Sequence, residues 1–122
     1  RAPRELVQRL HDALEHELQA TPGVRVVGEA AGDGYTVDSS ITELTRRTAP
    51  SGEVEVNCEI SLVIGVLPSH AIVGVTSGGA TVSSPRRSKP TRAAVQELEQ
   101  NAVNHAVHGA HQNLVAFLRS RR

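Results

Sequence analysis

The stretch Val54-Glu55-Val56-Asn57-Cys58-Glu59-Ile60-Ser61-Leu62-Val63-Ile64-Gly65-Val66 decides how this chain folds. Val54, Val56, Cys58, Ile60, Leu62, Ile64 and Val66 share one parity, while Glu55, Asn57, Glu59 and Ser61 share the other. Successive side chains of a strand point to opposite faces, so this alternation predicts an antiparallel strand buried on one side and wet on the other. Upstream, Tyr35, Val37, Ser39 and Ile41 alternate with Thr36, Asp38, Ser40 and Thr42, and Ala49-Pro50-Ser51-Gly52 carries turn residues. A simple hairpin about that turn sets Ile60 opposite Ile41, Leu62 opposite Ser39, Ile64 opposite Val37 and Val66 opposite Tyr35. It also sets Glu55 against Arg46. Slipping the register by one residue would expose the whole apolar set, at roughly 1.5–3 kcal/mol per aliphatic side chain.

Working outward, Leu67-Pro68-Ser69-His70 forms the next turn, and Ala71 to about Val82 reads as a further strand. Gly74, Gly78 and Gly79 interrupt its pattern, as glycines do at a bulge or where another backbone comes close. Val24 to Glu29 reads as a short strand before the hairpin. Pro3 followed by Leu6, Val7, Leu10, Ala13, Leu14 and Leu18 predicts an amphipathic helix, stopped at Thr21-Pro22-Gly23. A second helix is expected from about Thr91 to Leu118, with Val95, Leu98, Ala102, Ala106, Ala110, Leu114 and Phe117 as its apolar stripe. The expected architecture is an α+β two-layer sandwich of order α-β-β-β-β-α. Two long helices cover one face of a four-stranded, mainly antiparallel sheet, in a single domain spanning 1–122. The other sheet face stays polar and available.

Composition narrows the function. The 122 residues suit one domain, and 13 basic residues balance 13 acidic ones. That balance, with one Phe, one Tyr and no Trp, argues against a nucleic-acid partner. A single cysteine, Cys58, excludes an internal disulfide and a multi-cysteine zinc site; its inward parity marks it as a small buried hydrophobe. No apolar run approaches the roughly 18 residues of a membrane helix. The chain starts at Arg1 and has no Met, so a fragment of a larger protein is expected.

Three features carry candidate chemistry. His105, His108 and His111 recur at three-residue spacing on the last helix, but the outer two lie about 120° apart around its axis and cannot converge on one ion. A solvated histidine face is therefore expected, with no metal and no cofactor. Arg86, Arg87, Lys89 and Arg92 form a basic loop that reads as a mobile, solvated segment. Asp38, Glu55 and Glu59, with Arg46 opposite, mark the wet sheet face as a protein-docking candidate. No G-x-S-x-G elbow and no phosphate-binding glycine loop is present, so no catalytic residue is assigned.

The opening Glu5-Leu6-Val7…Leu10…Leu14…Leu18 leads into Gly23-Val24-Arg25-Val26-Val27-Gly28, followed by Tyr35 to Leu44 and Glu53 to Leu62. This succession resembles the periplasmic lipoprotein group that includes curli-secretion-type proteins and outer-membrane activators of peptidoglycan synthases. With Thr76-Ser77-Gly78-Gly79-Ala80-Thr81-Val82, the chain is also similar to a C-terminal domain of myxobacterial HEAT-repeat proteins. The resemblance implies a non-catalytic assembly module of the cell envelope. Such a module would bind a protein partner, or a second copy, through its sheet face or an exposed edge. The alternative is a small ligand- or metal-binding domain that uses the histidine-bearing helix.

Overall fold

A computed structural model describes residues 4–23, 34–50, 52–84 and 91–121. Helix α1 (Arg4–Gln19) precedes three strands, β1 (Gly34–Thr48), β2 (Val54–Leu67) and β3 (Ala71–Ser83), and helix α2 (Arg92–Ser120) closes the chain. The strands form an antiparallel sheet in the order β1-β2-β3. Among the described residues the expectation of four strands is thereby corrected to three and the element order to α-β-β-β-α, while the α+β layering holds. Residues 24–29, expected as the additional strand, lie outside the described residues. Three strands of 13 to 15 residues already supply a face long enough for both helices.

The hairpin register follows the alternation: Tyr35 pairs with Val66, Val37 with Ile64, Ser39 with Leu62 and Ile41 with Ile60. Beyond Ile41 one extra residue, Thr42, bulges from β1. The bulge brings Leu44 opposite Cys58, so both sides of the irregularity keep an apolar residue inward. It also corrects the expected Glu55–Arg46 pairing, because Arg47 now stands opposite Glu55 and Arg46 opposite Val56. Arg47 Nη2 donates to Glu55 Oε1 at 2.7 Å on the open face, whereas Arg46 shares the face of the buried Val56.

The core has one wall from each layer. Val54, Val56, Cys58, Ile60, Leu62 and Ile64 of β2 are buried against Leu6, Leu10 and Leu14 of α1 and the stripe from Leu98 to Leu114 of α2. Helix α2 lies across β2 and β3, and α1 rests on α2 and β1. Thr91 caps α2 by accepting from the Ala94 backbone N–H at 3.0 Å. Among the described residues, no polar or charged side chain is buried.

Two of the three glycines of β3, Gly74 and Gly78, have a packing reason. A Cβ on Gly78 would stand 2.7 Å from Ala110 Cα and 2.8 Å from the Ala106 carbonyl oxygen, so the bare strand seats the backbone of α2 directly. Gly74 seats the Phe117 ring in the same way, with a Cβ there falling 2.5 Å from Cζ. A second bulge, at Val73, places Ile72 opposite Gly65 and Val75 opposite Val63 on the open face.

Candidate interaction surface

The face of the sheet turned away from the helices is built in cross-strand rows. At one end Arg47 pairs with Glu55; in the next row Thr81 donates to Asn57 Oδ1 at 2.9 Å, and Asn57 Nδ2 donates to Glu43 at 2.7 Å. Glu43 stands opposite Glu59, and Asp38 opposite Val63. Asp38, Glu55 and Glu59 therefore do share this face, and Arg46 does not. At the opposite end the polar rows give way to Val63, Val75 and Ile72, the last two 61% and 69% exposed. Sequence reasoning missed this apolar corner. Ile72 and Val75 have opposite parity in a regular strand, and only the bulge at Val73 turns both outward. Their odd spacing within an apolar strand was the available signal.

Of the basic loop, Arg86, Arg87 and Lys89 lie outside the described residues, and Arg92 is exposed at the start of α2. The histidines are only partly the solvated face that the sequence predicts. His105 is exposed, but His108 Nδ1 and His111 Nδ1 face the two oxygens of Glu17 at 3.6 and 3.5 Å, and the His111 side chain is only 13% exposed. Thr21 spends its single hydroxyl proton on the Glu17 carbonyl at 2.7 Å. Its oxygen must therefore accept from His111 Nε2–H, also at 2.7 Å. These contacts staple the end of α1 to α2. Among the described residues, no three His, Cys, Asp or Glu side chains converge as metal ligands.

Cys58 is fully buried beneath the helices. Burial first, and the Glu59 carboxylate second, push its thiol up to about 11 from an ordinary 9.0. A thiol with a raised folded value stabilises the fold fully below pH 9.0, where the unfolded chain also keeps it neutral. That contribution drains away as pH rises through about 11. Denaturant titrations across that window should show stability falling with pH in the parent protein and falling less in Cys58→Ala. Equal slopes would place the thiol outside the titration.

The fold so defined is a two-layer α+β domain whose sheet is open on one side. It is similar to that of a candidate lipoprotein from Caulobacter crescentus CB15, with a TM-score of 0.62 and 18% identity, covering 97% of this chain and 86% of that one. No family model and no curated protein matches the chain, so the particular families named from the sequence rest on residue pattern alone. Among the described residues, no helix is long and apolar enough to cross a membrane.

Proposed function

We propose that this chain is a non-catalytic protein-interaction module of a bacterial cell-envelope protein, periplasmic or envelope-associated, that docks a protein partner on the open face of its sheet. The observation that carries the reading is the apolar corner of Ile72, Val75 and Val63 beside hydrogen-bonded polar rows. Interfaces of protein complexes have this composition, an apolar centre rimmed by polar groups. Asp38 and Glu59 supply an acidic rim that favours basic residues on the partner. The fold shared with a candidate lipoprotein supports the envelope assignment.

The test is capture of envelope proteins on three immobilised forms: the parent, Ile72→Lys with Val75→Lys, and His105→Ala with His108→Ala and His111→Ala. A partner held by the parent and the histidine variant, but lost from the lysine variant, is the expected result. Loss confined to the histidine variant overturns the proposal and points to a ligand site at Glu17, His108 and His111.

A further inference from the structure

Asn113 of α2 donates through Nδ2 to the carbonyl of Ser77, in the middle of β3, at 2.6 Å. Its position on the helix shows which side of the strand it reaches. Asn113 lies about 200° around the axis from His111, and His111 faces α1 through Thr21. Since α1 rests on the β1 side of α2, Asn113 overhangs the opposite flank, where β3 ends the described sheet. The close seat of Ala110 on Gly78 brings the helix near enough for the short amide to reach the strand.

An edge strand displays unpaired backbone donors and acceptors, and an incoming strand would use them. The Ser77 carbonyl is such an acceptor, and Asn113 already occupies it. The two edges of the described sheet differ in how they are otherwise protected. β1 carries Asp38, Glu43, Arg46 and Arg47 and a bulge at Thr42. β3 has no charged residue and no proline from Ala71 to Ser83, and its ladder runs without a break from Gly74 to Ser83. Laid antiparallel on a copy of itself, such a strand meets no like charge.

We propose that β3 is a latent self-pairing edge and that the Asn113 side chain keeps it closed against a second copy of this chain. The guard is separate from the docking face, since Ile72 and Val75 project from the sheet while Asn113 lies at its rim.

Sedimentation velocity over a concentration series tests the guard in the parent, in Asn113→Ala and in Asn113→Ala combined with Ser77→Lys. Losing one competing hydrogen bond should tighten self-association of Asn113→Ala by roughly five- to tenfold. Ser77→Lys sets two ammonium groups against each other at the centre of the pairing, and should return the protein to parent behaviour. Alanine is the better helix former at an exposed site, and far-ultraviolet circular dichroism of each variant establishes that the fold is kept. The proposal fails if Asn113→Ala sediments as the parent does, or if its association survives Ser77→Lys. Ile72 and Val75 are intact in all three proteins, so failure here leaves the docking face standing.

Discussion

Replacing Gly78 with Ala is expected to destabilise the protein by about 1–3 kcal/mol or more, the range for forcing atoms into a packed site. The added Cβ would meet the Ala110 and Ala106 backbone, which cannot swing aside as a side chain tip does. Relief requires α2 to lift off β3. Gly79→Ala is the control, because its Cβ points to the open face and meets the Cys58 carbonyl and Glu59 Cγ at 3.3 Å. A change below about 1 kcal/mol is expected there. Chemical denaturation of both variants reads the difference, and equal losses would show that α2 does not sit on the strand backbone.

Truncating Leu62 to Ala should cost roughly 2–5 kcal/mol, from lost transfer energy plus the cavity left behind. Leu62 is completely buried at the middle of β2, with β1 and β3 paired on either side, so no solvent can fill the space. Glu59→Ala, three residues away on the exposed face, should change stability by about 0.5 kcal/mol or less. Thermal melts that rank the two variants alike would refute the assignment of faces.

Both predictions rest on a parity readable in the residues themselves. From Val54 to Val66 every second side chain is apolar, so the buried face and the register to Tyr35 follow from local order alone. The bulges were harder to see because they interrupt that order by a single residue. Ile41 and Leu44 both face inward although their spacing is odd, and an inserted residue is the only way to reconcile the two. Reading straight through that signal placed Arg46 where Arg47 stands. The setting of His108 and His111 was beyond reach of local pattern. Their acidic neighbour, Glu17, belongs to a different helix at the other end of the chain, and only the packing of α1 on α2 brings it in.

The staple between Thr21 and His111 spans 90 residues of chain. Made first in the unfolded chain, a contact at that separation would cost on the order of 4 kcal/mol in chain entropy by logarithmic scaling, so it waits until the sheet and α2 have shortened the path between its ends. The hairpins β1-β2 and β2-β3 join neighbours through short turns and face no comparable barrier. Helix α1 holds its place with three buried leucines, and among the described elements its backbone lies close to α2 and β1. It is accordingly the element to dock last during folding and the first to detach from the native state. Its amides should exchange with solvent hydrogen well ahead of those in β2, through a partial opening that leaves the sheet and α2 joined.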